Sequence, residues 1–149
     1  MELILWRHCD AEPGQPDDLR ALTPRGMRQA ARMAGWLGPR LPDACRILVS
    51  PAVRAQQTAQ ALGRPYETVE EIGTGASVAT VLAAANWPAS RDRVLVVGHQ
   101  PTLGHVASFL LVGTESDRVM RKGAVWWLSN GPDGQRAVAL EAAVDPDLV

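Results

Sequence analysis

Short, continuously apolar segments recur along this chain, and each is followed by polar residues. The pattern predicts three buried strands, at residues 2–7 (ELILWR), 46–50 (RILVS) and 93–97 (RVLVV). A strand that is apolar on both faces is typical of the centre of a sheet covered by helices on each side. We therefore expect a layered protein built around these three segments.

Helical patterns follow the strands. Thr23-Pro24 combines a capping hydroxyl with a proline at the first helical position, and it predicts a helix that begins there. Three-and-four spacing predicts that the apolar face of this helix consists of Met27, Ala30, Ala31, Ala34, Leu37 and Leu41. Ser50-Pro51 repeats the capping signature before a second helix, and residues 77–86 and 102–111 predict two more.

The remaining segments complete a sheet. Residues 66–69 predict an edge strand, while 123–128 and 136–140 flank the turn sequence NGPDG and predict a C-terminal hairpin. Strands alternate with helices up to that hairpin. The fold class is therefore predicted to be α/β, with three α/β/α layers, a mainly parallel sheet, helices on both faces and an antiparallel hairpin at the end.

The three buried strands end in polar side chains that suit one another chemically. Arg7 and His8 stand at the end of the first strand. Ser50 ends the second, with Arg54 about one helical turn further on, and His99 follows the third. Because ligands bind at the carboxyl ends of parallel strands, we expect these side chains to lie close together.

A tetrahedral phosphate dianion is the ligand that this predicted cluster fits. The charge of Arg7 at the end of an apolar strand is costly to bury unless an anion meets it. Arg54 lies near the start of a helix, where free backbone N–H groups also favour anions. Arg7, Arg54 and His99 are therefore predicted to surround a phosphoryl group, with no metal ion or other cofactor required.

His8 is then a candidate nucleophile, and its orientation matters more than its basicity. A free imidazole with a pKa of about 6.5 is already mostly neutral at pH 7, so a lower pKa adds little reactive form. We expect a fixed ring, with one nitrogen bonded to a backbone carbonyl and the other in line with phosphorus. His99 is predicted to act differently, as a cationic donor whose pKa a bound dianion raises.

Composition and charge exclude several classes of function. The 149 residues are 46% hydrophobic and 21% charged, with a formal net charge of −1, which argues against a disordered chain or a nucleic-acid-binding surface. Cys9 and Cys45 give no disulfide framework and no metal-ligand spacing. No segment approaches the ~20 residues of a membrane span and no leader precedes the first strand, so we expect a soluble, cytoplasmic protein.

Three motifs, taken together and in this order, resemble the histidine phosphatase superfamily, whose fold is phosphoglycerate-mutase-like. They are Arg7-His8, SPAVRAQQTA at residues 50–59 and GHQP at residues 98–101. The segment DDLRALT at residues 17–23 also resembles the SixA-type phosphohistidine phosphatases. The resemblance implies one histidine-phosphatase domain over residues 1–149. The short stretch between the second and third motifs leaves no room for a capping insertion.

The resemblance also implies an activity and a role for each matching residue. It implies a metal-independent phosphatase that hydrolyses phosphohistidine on a protein partner, with His8 as the residue that is transiently phosphorylated. The residues that bind the phosphoryl group or the substrate are, on the same basis, Arg7, Arg54, His99, Gln100 and, at the rim, Arg20.

Two departures from the family pattern affect these expectations. Cys9 follows His8 where the family has glycine, so a positive φ or a close backbone approach there would strain the chain. No residue is identifiable as the general acid that protonates an ester leaving group in larger members, and Asp10, Glu70 and Glu71 are the candidates. Because a phosphohistidine loses imidazole, a better leaving group than an alkoxide, this gap favours phosphohistidine as the substrate.

Other interpretations stay open from the sequence. One is a phosphatase or mutase for a small phosphate compound that uses Glu70 or Glu71 as its acid, and another is a non-catalytic module in which His8 only binds an anion. A zinc site is a less favoured alternative, because His8 and Cys9 are neighbours on a strand and their side chains should point to opposite faces. Its ligands would be His8, Cys9, His99 and His105.

Overall fold

One six-stranded sheet forms the centre of the protein in a computed structural model, which describes all residues from Met1 to Val149. The strands are β1 (Glu2–Arg7), β2 (Arg46–Val49), β3 (Glu67–Thr68), β4 (Val94–Gly98), β5 (Val125–Ser129) and β6 (Ala139–Val144). Their order across the sheet is β3-β2-β4-β1-β5-β6. The first four are parallel, whereas β5 pairs antiparallel with β1 and β6 pairs antiparallel with β5. The predicted sheet is confirmed.

Four helices cover the two faces of this sheet. They are α1 (Pro24–Leu37), α2 (Val53–Gln60), α3 (Val78–Ala84) and α4 (Thr102–Val112). Leu3 and Leu5 of β1 pack in one buried cluster with residues of α3 and α4. Ile4 and Trp6 face the other way and pack with residues of α1 and α2. Both faces of β1 are therefore buried, as its apolar sequence requires, and the three-layer α/β/α prediction is confirmed.

Helix α1 begins where the capping signature predicts. The hydroxyl of Thr23 accepts a hydrogen bond from the backbone N–H of Gly26 (2.9 Å), and Pro24 is the first helical residue. The buried stripe of the helix consists of Gly26, Ala30, Met33 and Leu37. These positions follow the i, i+4, i+7, i+11 spacing of a single helix face.

The predicted apolar face of α1 was wrong at Met27 and Ala31, whose side chains are exposed. The physical reason is the close approach of Gly26 to the loop before the helix. A Cβ built on Gly26 would lie 2.0 Å from the carbonyl oxygen of Asp10. This contact sets the rotation of α1, so the buried stripe runs through Gly26 and Met33 instead of Met27 and Ala31.

The predicted capping role of Ser50 was also wrong. Helix α2 begins at Val53, and Ala52 occupies its N-cap position without a side-chain hydrogen bond. The backbone N–H of Ser50 still donates to the carbonyl of Val97 (3.1 Å), so Ser50 continues the sheet ladder and the helix starts only after it. The Ser50 hydroxyl is therefore available for another contact, described below.

The C-terminal hairpin lies later in the chain than the sequence pattern predicts. Its second strand was placed at residues 136–140, whereas β6 covers Ala139–Val144. Gly131 and Gly134 both have positive φ, and the N–H of Arg136 donates to the carbonyl of Asn130 (2.9 Å). The connecting loop therefore extends past residue 136 before the strand can begin.

None of the helices combines the length and apolar character that a membrane span requires.

Candidate active site

All six residues predicted to form the site line a single pocket of about 270 Å³ at the carboxyl ends of β1 and β4. They are Arg7, His8, Arg20, Arg54, His99 and Gln100. The sheet register explains the convergence, because Arg7 of β1 pairs with Gly98 of β4. The residues that follow, His8 and His99, are therefore neighbours, and their ring centroids lie 5.3 Å apart. The predicted meeting of the strand ends is confirmed.

The ring of His8 is held by the backbone of the next residue. Its Nδ1 lies 2.8 Å from the carbonyl oxygen of Cys9, and since a carbonyl only accepts, Nδ1 carries the proton and Nε2 keeps its lone pair. Burial lowers the pKa of His8 to about 3, and the charges of His99, Arg54 and Arg7 act in the same direction. The side chain is thus neutral at physiological pH and presents one fixed nitrogen.

His99 is held through both of its ring nitrogens. Its Nε2 lies 2.7 Å from the hydroxyl of Ser50, and its Nδ1 lies 3.4 Å from Nη2 of Arg54. Because a guanidinium only donates, Nδ1 is the acceptor and Nε2–H donates to Ser50. Burial, followed by the charge of Arg54, lowers the pKa of His99 to about 4. The prediction that a bound dianion raises this pKa stays a prediction.

Two of the three arginines that line the pocket, Arg7 and Arg54, each have a buried Nε–H that no group of the protein accepts. Nη1 of Arg7 donates to the carbonyl of Met120 (2.8 Å), and Arg54, which is 2% exposed, donates from Nη1 and Nη2 to Asp17. Their Nε atoms are buried and have no hydrogen-bond partner. Leaving a buried charged donor unpaired costs more than a typical hydrogen bond gains, so the site is suited to an anion that accepts from both.

Asp17 is a pocket residue that the sequence analysis did not single out. Its backbone carbonyl accepts from Nη1 of Arg54 (2.8 Å), its Oδ2 from Nη2 of Arg54 (3.0 Å) and its Oδ1 from Nε of Arg20 (3.0 Å). The hydrogen bond from Arg54 lowers the pKa of Asp17, and Arg20 adds to the effect. The DDLR sequence contains this acid, but its partner Arg54 is 37 residues away in the chain.

Two predicted substrate-binding residues, Arg20 and Gln100, also make contacts within the protein. Arg20 donates from Nη1 to the carbonyl of Glu12 (3.2 Å) besides its bond to Asp17. The Gln100 amide donates from Nε2 to the carbonyl of Arg118 (2.6 Å) and accepts at Oε1 from the N–H of Gly104 (2.7 Å). Gln100 thus ties the loop before β5 to α4, and its role in substrate binding stays a prediction.

None of the three candidate general acids lines the pocket. Asp10 accepts from Nζ of Lys122 (2.9 Å) and from the hydroxyl of Thr23 (2.8 Å), and the first of these bonds lowers its pKa most. Glu70 and Glu71 belong to a short 3₁₀ turn, Glu70–Ile72, and Glu71 borders a separate cleft. The only carboxyl group at the pocket is that of Asp17.

Cys9 fits the position of the family glycine without backbone strain. Its φ is not positive, and its N–H donates to the hydroxyl of Thr58 (3.1 Å). The side chain is fully buried in a small apolar cluster with Leu22 and Ala30, and burial raises the pKa of its thiol to about 12. Cys9 is therefore a packing residue with an unreactive thiol.

The zinc alternative has no geometric support. Nowhere does the chain bring together three or more His, Cys, Asp or Glu side chains in a way that suits a metal ion. Cys9 packs in its apolar cluster, and His105 bonds through Nε2 to Asp117 (2.7 Å) on the exposed side of α4.

Comparisons of the sequence identify its relatives. The family model of the Histidine phosphatase superfamily (branch 1) matches residues 3–74. An uncharacterised protein of Mycobacterium tuberculosis is 37% identical over 108 residues, which cover 69% of this chain and 68% of the relative. Phosphohistidine phosphatase SixA of Escherichia coli is 30% identical over 122 residues, which cover 76% of each chain.

Comparisons of the fold agree. A SixA structure from Nakamurella multipartitia is similar with a TM-score of 0.81 at 30% identity, covering 97% of this chain and 95% of that one. The structure of the protein histidine phosphatase SixA complexed with tungstate has a TM-score of 0.80 at 26% identity and covers 99% and 98%. A phosphoserine phosphatase from Entamoeba histolytica, at 17% identity and a TM-score of 0.73, shares the fold.

Proposed function

This chain belongs to the histidine phosphatase superfamily and is a phosphatase, and from that premise we propose that it hydrolyses phosphohistidine on a protein partner. The observation that carries the proposal is the pairing of a neutral, fixed His8 with guanidinium donors in a pocket whose only carboxyl group is held ionised. The pocket thus has a nucleophile and anion-binding groups, but no acid suited to an alkoxide leaving group.

The first step of the reaction uses the free nitrogen of His8. Its Nε2 attacks the phosphorus of the substrate, and the P–N bond to the substrate ring breaks, with the electron pair returning to that ring. His8 then carries the phosphoryl group on Nε2 and a proton on Nδ1, which the Cys9 carbonyl accepts as a hydrogen bond. Because the ring is fixed before reaction, proximity and orientation account for the rate more than basicity does.

The donors of the pocket stabilise the charge on the transferred group. The buried Nε–H groups of Arg7 and Arg54 have no partner in the protein, which supports these guanidinium groups as the donors to the phosphoryl oxygens, and His99 lies beside Arg54. Donors fixed in a buried site act on the transition state without further reorganisation. The SixA structure in complex with tungstate, a tetrahedral oxyanion, supports this assignment.

The second step returns the enzyme to its starting state. A water molecule attacks the phosphorus of phosphorylated His8, the P–N bond breaks, and the electron pair returns to Nε2. The products are neutral His8 and dihydrogen phosphate, so charge and protons balance without a metal ion. We therefore propose metal-independent turnover, in agreement with the chemistry of the donors present.

The leaving group favours phosphohistidine over a phosphate ester. An alkoxide needs a proton from a nearby acid, and Asp17 is poorly suited to supply one, since Arg54 lowers its pKa. An imidazole that is protonated on its second nitrogen leaves as a neutral molecule.

We further propose that residues 1–149 act as one domain without a capping insertion. Only β3, a 3₁₀ turn and α3 lie between α2, which carries Arg54, and β4, which precedes His99, and this leaves the pocket accessible to a protein-borne side chain.

The test compares three substrates in buffer with a strong chelator. Wild-type protein is assayed on a histidine-phosphorylated protein domain, on phosphoserine and on p-nitrophenyl phosphate. We expect turnover of the phosphohistidine substrate, loss of that turnover in His8→Ala, and no change in His105→Ala, the matched control outside the pocket. Faster turnover of phosphoserine would favour a small-ester phosphatase, full inhibition by the chelator would overturn metal independence, and His8→Ala activity near wild type would exclude the phosphorylated intermediate.

A further inference from the structure

Asp17 places a negative charge in a pocket that otherwise suits an anion. It is the only carboxylate among the pocket residues, its side chain is half-exposed, and both of its oxygens already accept hydrogen bonds. A carboxylate near a bound dianion costs Coulomb energy. It also accepts from Nη2 of Arg54, while the backbone carbonyl of Asp17 accepts from Nη1, so Asp17 takes one hydrogen bond from each terminal nitrogen of a guanidinium that is predicted to bind phosphate.

Holding Arg54 in place does not by itself require this charge. The backbone carbonyl of Asp17 already accepts from Nη1 of Arg54 (2.8 Å), and a neutral amide oxygen at the same position could still accept from Nη2, although more weakly. Because half of the Asp17 side chain is exposed, its carboxylate is accessible to a further positive group in the pocket besides Arg54 and Arg20.

A phosphohistidine substrate carries such a group. When one ring nitrogen bears the phosphoryl group and the other bears a proton, the ring is positively charged, and only this form leaves as neutral imidazole. Resting on the function proposed above, we propose that the Asp17 carboxylate accepts a hydrogen bond from the protonated ring N–H of the substrate phosphohistidine. Each oxygen of a carboxylate has two lone pairs, so the bonds to Arg20 and Arg54 do not exclude a further donor.

With this assignment, each of the two reacting rings has an acceptor for the N–H on the nitrogen that does not bond to phosphorus. The Cys9 carbonyl holds the Nδ1–H of His8, and the Asp17 carboxylate holds the N–H of the substrate ring. As the phosphoryl group moves, the bond to the substrate ring breaks and the bond to His8 forms. Positive charge passes from the substrate ring to His8, and no proton has to move.

The proposal predicts an effect on the alkaline side of the pH profile. Above the pKa of the substrate ring, only a fraction of the bound substrate carries the proton, and a carboxylate beside the bound ring increases that fraction. Burial lowers the pKa values of His8 and His99 to about 3 and about 4, so neither titrates there. The charged groups that share the pocket with Asp17 are Arg7, Arg20, Arg54 and Lys122, with Asp18 adjacent in the chain.

The experiment compares Asp17→Asn with Asp18→Asn, which makes the same charge change one residue away. The Asp18 carboxylate accepts from the hydroxyl of Thr74 (3.1 Å) and does not line the pocket. For wild type and both variants, kcat, whose pH dependence reports the ionisation of the enzyme–substrate complex, is measured from pH 6 to pH 9 on a phosphohistidine peptide and on p-nitrophenyl phosphate, whose leaving group needs no proton.

In Asp17→Asn, we expect the alkaline limb of kcat on the peptide to move about one pH unit lower, which gives a loss of roughly tenfold in kcat at pH 8.5 beyond any loss shared by both substrates. The pH profile on p-nitrophenyl phosphate should keep its shape in Asp17→Asn, and the profile of Asp18→Asn should change little. An unshifted alkaline limb in Asp17→Asn would overturn the proposal, as would an equal loss on both substrates at every pH, which would reduce Asp17 to positioning Arg54. A wild-type enzyme inactive on the peptide would instead overturn the proposed function.

Discussion

The two ends of the parallel sheet carry similar residue types, but these residues differ in burial and in whether their charged groups are paired. The amino end opens a cleft of about 660 Å³, more than twice the volume of the pocket at the carboxyl end, and both contain arginines and acids. At the amino end, Arg93 pairs with Glu2 and Arg136 approaches Glu141 (3.9 Å), with all four side chains partly or well exposed. At the carboxyl end, Arg54 is buried and its Nε has no partner.

The comparison shows that the volume of a cleft does not identify the end of the sheet that is suited to bind an anion. Exposed ion pairs contribute little energy, because water screens them and each charge is already compensated. A buried guanidinium with an unpaired donor has a much larger interaction energy available to an anion. The smaller pocket also holds both buried histidines, whereas the larger cleft is lined by none.

The largest difference between the two ends is expected between two single variants, each of which removes one arginine from one end. Arg54→Ala should lower kcat/KM for phosphohistidine by on the order of 10²-fold or more, the scale of one transition-state donor. Arg93→Ala removes an exposed ion pair and a contact 5.5 Å above the Trp127 ring, and it should leave kcat/KM within about twofold. Steady-state kinetics measures both, and similar losses in the two variants would contradict the distinction between the ends.

The pH dependence of the free energy of unfolding provides a second test of the difference between the two ends of the sheet. The pKa values of His8 and His99 are lowered to about 3 and about 4, below the ordinary value of about 6.5. Between these values the unfolded chain binds more protons than the native protein, so the free energy of unfolding rises with pH and is lost as pH falls through this window. Each histidine should contribute about 2 kcal/mol between pH 5 and pH 7.

Urea unfolding of three proteins at pH 5 and pH 7 tests this expectation. His8→Ala should lose about half of the wild-type pH dependence, since one of the two buried histidines is removed. His105→Ala, which removes a partly exposed histidine paired with Asp117, should keep it. An undiminished pH dependence in His8→Ala would show that burial does not hold this ring neutral.

The next comparison is between variants of two buried serines that make similar backbone contacts. Ser50 and Ser129 are both buried, and the hydroxyl of each accepts from the backbone N–H two residues later, at 3.2 Å and 3.0 Å. Only Ser50 also bonds to His99. Ser50→Ala should therefore lower kcat by roughly tenfold through a less ordered His99, whereas Ser129→Ala should cost only about 1 kcal/mol of stability.

Kinetics and denaturation of both serine variants separate the two roles. A kcat that falls equally in Ser129→Ala would show that the loss comes from general destabilisation. An unchanged kcat in Ser50→Ala would show that the hydroxyl does not position His99.

The strands and their ends were predictable from the sequence because they depend on local patterns and one general rule. Apolar runs such as RVLVV identify buried strands, and the carboxyl-end rule brings His8 and His99 together once those strands are parallel. The outward rotation of Met27 was not predictable in the same way. It depends on the contact of Gly26 with Asp10, which is a tertiary feature.

The supporting contacts of the site were less accessible to sequence reasoning. Ser50 matches a capping signature, and only its place in the ladder with Val97 shows that its hydroxyl turns to His99 instead. Asp17 begins a short 3₁₀ turn in a segment of mixed charge, and its pairing with Arg54 depends on how that segment packs against α2. The candidate catalytic residues were recognisable by type, whereas the contacts that orient their side chains depend on the three-dimensional fold.

Trapping the phosphorylated intermediate tests the central claim most directly. Wild-type protein is mixed with a ³²P-labelled histidine-phosphorylated domain, quenched without acid within the first turnovers, digested and analysed by mass spectrometry. The account predicts transient label on Nε2 of His8, which disappears as inorganic phosphate is released. Turnover with no label on His8, or with label on another residue, would contradict it.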